Sequence, residues 1–516
     1  MPPLVDLVTL APENGEWKNK YYNDFITKLI PYIMEIDGTS LEDPFVLSEA
    51  GQDLIDKGGD LDHIGSFGGN IATVSTVPHW ERGITIVTGW SSGDVFVQGD
   101  GTTDDTAKIQ RAINLTGYTG LDPRIVFFPP GTYLVSELDL TTSNLILQGS
   151  GPSTIIKAQA STKSLITVTG CSHCEIRDIV FDGNWATKTD IIGIEIKDAD
   201  HLIIDSCEFR QIKGVGIKGS NVGAGNKNGT KITSCRFMDI ADGGSPTTQN
   251  MAIYFADDCS WTNGAIEDCE FGGYNGTNDT NGLWLMSARG VNISGNIFVD
   301  LLNSVVLQRS ANAEVMDEIS VSNNLFLGQS LMKRGVFLHS LDGGGTSGVL
   351  DKVAIRGNLI DNPGVVAYSV GIELRTEDAA TVTLTRNIAI SGNVIRLGYA
   401  TTYRYGIRFY SGTANDCSAA NYGTIFGNVV TEPYFGIYLM APHSGAPAAN
   451  KTVGFAIGGN VVANTASSGT CGISLENEAI TEVYDVTVIG NVAIGQVVPI
   501  QGNIVLNDIS HNVMMP

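Results

Sequence analysis

From Ile192 to Asn507 apolar and variable positions alternate in short bursts, and one four-residue burst recurs eleven times. It consists of a small residue, an aliphatic, a variable residue and a second apolar residue. Clear copies are Gly193-Ile-Glu-Ile, Ala252-Ile-Tyr-Phe, Gly282-Leu-Trp-Leu, Ser304-Val-Val-Leu, Gly335-Val-Phe-Leu, Gly371-Ile-Glu-Leu, Gly406-Ile-Arg-Phe, Gly436-Ile-Tyr-Leu and Gly472-Ile-Ser-Leu. Gly216-Ile-Lys-Gly is imperfect, and Asn503-Ile-Val-Leu is a degenerate last copy. A second phrase follows most copies, as in Ile293-Ser-Gly-Asn-Ile-Phe, Ile355-Arg-Gly-Asn-Leu-Ile and Ile390-Ser-Gly-Asn-Val-Ile. Its Asn falls at 296, 324, 358, 393, 428, 460, 491 and 512, so successive gaps are 28, 34, 35, 35, 32, 31 and 21 residues. Alternation at period two predicts strands. Self-similarity at a near-fixed period predicts a solenoid, whose units bury an apolar face only by stacking.

Val, Ile, Thr and aromatics fill the phrases, while Gly, Asn and Asp fill the gaps, which is strand and turn chemistry. No run at period 3.6 appears after Leu115, so a helical repeat is excluded. The expected fold is all-β: a right-handed parallel β-helix whose coils stack at about 4.8 Å. The Gly-Asn pair is expected to bend the chain between two strands of one coil, because both residues tolerate positive φ. Stacked Asn side chains would then bond coil to coil. Cys207, Cys235 and Cys269 stand at the matching place in earlier coils and read as small buried hydrophobes of the same ladder.

Three segments follow. Residues 133–516 are the parallel β-helix. Residues 94–132 open it: Asp104 or Asp105 can cap a helix whose apolar face is Ile109, Ala112 and Ile113, followed by a strand at Ile125 to Phe128 and a Pro-Pro-Gly turn. A solenoid end exposes core and unpaired strand edges, and such a helix covers them. Residues 1–93 are a small N-terminal docking or cap region, with a helical stripe at Trp17, Tyr21, Phe25 and Leu29 ending near Pro31. A second helix is expected from Ser48 to Lys57, and a strand from Ile84 to Thr88.

The run Gly99-Asp-Gly-Thr-Thr-Asp-Asp-Thr-Ala-Lys-Ile-Gln, followed by Phe127-Phe-Pro-Pro-Gly-Thr-Tyr133, resembles the opening of pectate-lyase-like β-helix proteins. It is most similar to the bacteriophage tailspike depolymerases, and the resemblance spans roughly residue 94 to the end. It implies a homotrimer that degrades bacterial surface polysaccharide (capsule, exopolysaccharide or O-antigen), possible docking to other virion proteins through residues 1–93, and an extracellular or virion-associated location. These motifs build the cap and carry no chemistry of their own. Many tailspikes add a C-terminal module beyond the last coil, and here the coils run to the end of the sequence.

Composition narrows the partners. The net charge of −24 argues against nucleic acid and anionic membrane. No apolar run reaches spanning length and no basic-then-apolar leader opens the sequence, so the expectation is either a trimmed sequence or release by another route, such as lysis. Of eight cysteines only Cys171 and Cys174 are close, and without a second pair they are a weak metal signal. No His pair has metal-ligand spacing, and no metal or cofactor is expected.

If the two apolar residues of each Gly-Ile-x-Leu point inward, x and the residue after Leu point outward. The x column reads Glu195, Lys218, Tyr254, Trp284, Val306, Phe337, Glu373, Arg408, Tyr438, Ser474 and Val505. The next outward column includes Gln308, His339, Arg375, Tyr410 and Met440. Tyr254, Trp284, Phe337 and Tyr438, with Arg408, are the expected substrate-binding strip, since flat rings suit the apolar faces of sugars. The same strip also suits a subunit contact. Catalysis would come from Glu373, Asp342, His339, Arg375 and Tyr410. The resemblance implies endo-glycoside hydrolysis first, with a lyase as the alternative; for hydrolysis Glu373 is the expected general acid, with a second carboxylate from Asp342, Glu377 or Asp378. Equally, Glu373, Arg375 and Arg408 form a plain salt-bridge ladder. In a lyase acting by β-elimination, Arg375 or Arg408 holds a uronate carboxylate, while His339 and Tyr410 serve as base and acid. A non-catalytic attachment protein would use the strip only to bind.

Overall fold

The computed structural model describes Ile84–Ile86 and most of residues 97–515, apart from segments between strands, the longest being 441–451. Val77–Val87 groups with Val97–Pro516 as one compact unit. Met1–Thr76 and Thr88–Phe96 make a second. This second unit lies outside the described residues, and with it both helices expected in residues 1–93.

The chain winds as a parallel β-helix with three sheets, A, B and C, visited in turn by each coil. One coil runs Val349–Arg356 in sheet A, Leu359–Asn362 in B and Ser369–Glu377 in C. Each strand pairs in parallel with its counterpart one coil on, as Ile372 does with Ile407 and Ile407 with Ile437. Sheet C stacks without a break in its sequence of coils from Leu138–Leu140 to Val498–Gly502. The repeat phrase is the sheet C strand, and the Gly-Asn phrase is the bend from A to B.

That bend works as a division of labour. Glycine supplies the left-handed residue, with φ of 64° at Gly392, and Ser206, Ser234 and Asp268 take it in earlier coils at 52 to 54°. Asn supplies the bond between coils: Asn358 donates its N–H and Nδ2 to Asn393 Oδ1 at 3.0 and 2.9 Å, and Nδ2 also to Val321 O at 2.9 Å. The ladder is buried from Asn296 to Asn491, so each amide replaces water it has lost. Cys207, Cys235 and Cys269 continue it downward, with Cys235 N–H donating to Cys269 Sγ at 3.4 Å. Inside, Phe181, Phe209, Phe237, Phe271, Phe298 and Phe326 stack at 4.7 to 4.9 Å, the coil spacing itself.

The small first residue of the phrase has a steric cause. A Cβ on Gly371 would lie 2.6 Å from both Gly406 O and Ile395 Cγ2, and one on Gly436 would lie 2.4 Å from Gly472 O. A large side chain there would push coils apart. The last coil differs from the sequence reading. Ser474 pairs with Gln501, not Val505, because Val498–Gly502 forms the sheet C strand. The copy at 503–507 lies outside the described residues.

The helix Thr106–Ile113 closes the starting end with Ile109 and Ile113 buried. Gln110 covers the open edge of the first sheet C strand: Nε2 donates to Asp139 O at 2.8 Å, and Oε1 accepts from Asp139 N–H at 2.7 Å. Asp104 accepts from Thr106 N–H at 2.9 Å, whereas buried Asp105 accepts from Gln98 and Gly99 N–H at 2.9 and 3.0 Å. Asp100 accepts from Thr102 and Thr103 N–H, which hold its carboxylate well below the usual range. All three acidic residues of the motif are thus spent on the cap. The expected strand at Ile84 is present as Ile84–Ile86 and pairs with Arg124–Phe127 in sheet A.

Candidate functional site

The outward columns of sheet C follow the expected register. Val306, Phe337, Glu373, Arg408 and Tyr438 succeed one another coil by coil, as do Gln308, His339, Arg375 and Tyr410. Their inward neighbours Ile372 and Leu374 are buried in the core. Outward does not mean exposed, however. Phe337 and Tyr438 are 6% and 7% exposed, and Glu373 is 0% exposed. Coils about 4.8 Å apart let long side chains fold over their neighbours. His339 stacks on Phe337 with ring centroids 4.8 Å apart, and Arg334 lies 4.3 Å over the same ring. Tyr254 and Trp284 are half-buried, and Val306 separates Trp284 from Phe337 along the strip.

Glu373 is the hub of a closed polar cluster. One oxygen accepts from Arg334 Nε; the other accepts from Arg408 at 3.3 Å and from the Tyr368 hydroxyl at 3.2 Å. Arg408 also donates to Tyr368 Oη. Its guanidinium is boxed by aromatic faces, 4.6 Å from Tyr405, 4.5 Å from Tyr410 and 5.4 Å from Tyr368. Arg334 reaches on to Asn303 Oδ1 at 3.0 Å. The salt-bridge ladder therefore exists, but with Arg334 in the place expected for Arg375. Arg375 instead lies over Tyr410 at 5.4 Å.

His339, Arg375 and Tyr410 form the accessible half of the cluster, each half-buried. Burial and the Arg375 and Arg334 guanidiniums push the His339 imidazole down to about 4, so it is neutral at neutral pH. Such an imidazole can accept a proton or a hydrogen bond. Arg334, Arg375 and Arg408 outnumber the one described carboxylate, so this spot is positive in an acidic chain. Asp342 and Asp378 lie outside the described residues, as does the side chain of Glu377.

Sequence reasoning missed Arg334, Tyr368 and Tyr405. Strict alternation back from Val336 and Ile407 puts 334 and 405 inward. At the start of each sheet C strand the alternation breaks. Gly335 and Gly406 crowd the corner, and Tyr405 packs with Val370 and Tyr438 in a separate apolar cluster outside the core. The signal was the composition of the position before the small residue, which reads Asn303, Arg334, Val370, Tyr405 and Phe435.

Residues 93–325 match the family model described as Rhamnogalacturonase A/epimerase, pectate lyase-like. The tailspike protein of E. coli bacteriophage HK620 in complex with a pentasaccharide is 13% identical, with a TM-score of 0.58 over 80% of this chain and 77% of that chain. A mutant of the same tailspike in complex with a hexasaccharide is 14% identical, with a TM-score of 0.57 over 80% and 76%. The Dettilon tailspike protein is 15% identical over 86% and 73%, at a TM-score of 0.48. The chain thus folds as a parallel β-helix similar to that of the HK620 tailspike, and its residues 93–325 are similar to the pectate-lyase-like family.

Proposed function

We propose that this chain is a tailspike-like protein that binds and cleaves a bacterial surface polysaccharide on the outward face of sheet C, as part of a homotrimer on a virion tail. What carries the reading is the register of His339, Arg375 and Tyr410 on three adjacent coils, a neutral base beside a cation and a phenol. Solved complexes of a similar fold hold a pentasaccharide and a hexasaccharide, which supports a glycan as the ligand.

Of the two chemistries, β-elimination fits the described residues better. Arg375 pairs with the carboxylate of a uronic acid and favours charge developing on it. His339 removes the α-proton, the C–H electrons form the C=C bond, and the glycosidic C–O bond breaks. Tyr410 gives the departing oxygen its proton. The products are a new reducing end and an unsaturated uronate. Arg408 and Glu373 act as positioning residues that hold Tyr410 and the aromatic wall. Hydrolysis would instead use Glu373 as acid and Asp342 as partner. Glu373 would first have to exchange Arg334, Arg408 and Tyr368 for the glycosidic oxygen.

The test is incubation with a panel of acidic and neutral capsular and lipopolysaccharide glycans, following both reducing ends and unsaturated-uronate absorbance. Elimination is expected to raise both in step on acidic glycans. Reducing ends without absorbance would turn the assignment to hydrolysis, and binding with neither signal would leave an attachment protein.

A further inference from the structure

Sheet B turns a different surface outward. Ile297, Leu325, Leu359, Val394, Val429 and Val461 occupy one outward position on successive coils, in register, and Val492 continues the column. Ile297, Leu359 and Val394 are 39%, 42% and 42% exposed. Beside them run Val299, Leu327 and Ala463, interrupted by Thr431 and by the Asp361–Arg396 pair at 3.6 Å. On earlier coils the same column is charged: Glu208, Arg236 and Glu270. The aliphatic stretch is therefore confined to the later coils.

The ladder is about 30 Å long at strand spacing, and with its neighbouring column presents on the order of 400 Å². That is half of the roughly 800 Å² that each partner contributes to a standard interface, so the contact has to extend onto the flanking columns to reach it. The ladder is also nearly free of net charge, so two chains of net charge −24 can meet there with least repulsion.

We propose that this ladder is where further copies of the chain pack, side by side with sheet B inward and sheet C turned to the polysaccharide. The proposal rests on the reading that the chain assembles as an oligomer, and adds the face that does it. Sedimentation equilibrium of the full chain at micromolar concentration tests both parts. The wild type is expected as an oligomer, and Leu359→Asp combined with Val394→Asp as a monomer with unchanged β circular dichroism. A wild-type monomer overturns assembly and interface together. An oligomer that survives both substitutions overturns the interface alone. If the double variant does not fold, Val394→Cys decides. Its thiol is expected to react with a maleimide at least about tenfold more slowly than that of Phe426→Cys, a sheet A position 60% exposed. Equal rates would refute the proposal. Glycan cleavage is read separately, so failure of either idea leaves the other standing.

Discussion

On the coil from Val349 to Glu377, sheet B turns Leu359 and Asp361 outward, while sheet C turns Glu373 and Arg375 outward. Both strands bury aliphatics on the other side, Ile360 in B and Ile372 and Leu374 in C. The inward residues are interchangeable hydrophobes because stacking asks only for volume and period. The outward residues are free of that demand, and the two faces diverge. Sheet C gathers three arginines, a histidine and tyrosines around one buried carboxylate. Sheet B carries a plain aliphatic ridge whose ion pair is exposed. A carboxylate–arginine pair one coil apart is thus a different object on each face: sealed and multiply bonded within the chain in C, left partly open by the chain in B.

The largest expected effect falls on catalysis. His339→Ala and Tyr410→Phe should each lower kcat on the cognate acidic glycan by about 10²–10⁴, the usual worth of a general base or acid. Leu359→Asp, on sheet B, should leave turnover per chain within about twofold. A comparable loss from Leu359→Asp would mean that the site is built between chains rather than on one sheet C.

Next comes stability. Glu373→Gln removes the carboxylate between Arg334 and Arg408 and leaves two guanidiniums poorly compensated in a buried place. Denaturant unfolding should show a loss of about 3–5 kcal/mol, the usual cost of breaking a buried pair from one side. A fully stable Glu373→Gln that has lost its kcat would instead favour Glu373 as the hydrolytic acid.

A third expectation concerns pH. A base must be neutral to act, and His339 is held down to about 4, so the acid limb of kcat/KM should lie near pH 4 rather than near 6.5. Arg375 is one of the groups holding it down. Arg375→Gln should therefore move the limb upward while lowering kcat/KM through lost substrate contact. A limb that stays put in Arg375→Gln would detach it from His339.

The smallest effect should be on sheet B. On the single chain Asp361 and Arg396 are 29% and 61% exposed at the side chain, so in the monomer expected of Leu359→Asp with Val394→Asp, adding Asp361→Asn should change unfolding free energy by no more than about 0.5 kcal/mol. A cost near that of Glu373→Gln in that monomeric background would erase the distinction between the faces.

The sequence by itself determined the coil. A small residue, alternation at period two and Gly-Asn bends leave few other ways to bury the aliphatics, and they put Ile372 inward and Glu373 outward without reference to any other coil. The opening helix was equally legible, because Ile109, Ala112 and Ile113 form a local stripe. Three things were decided only in the tertiary structure. The break in alternation at the start of each sheet C strand brought Arg334 and Tyr405 out beside Glu373, since crowding at Gly335 and Gly406 comes from the adjacent coil. The register of the last coil passed to Gln501 because Val498–Gly502, which does not carry the repeat phrase, is the strand that pairs with Cys471–Glu476. Above all, burial of Glu373 depends on Arg334, Tyr368 and Arg408, which lie 39, 5 and 35 residues away. Alternation tells which way a side chain points, but exposure is set by what folds across it from neighbouring coils, and that is a sum over contacts that no local pattern contains.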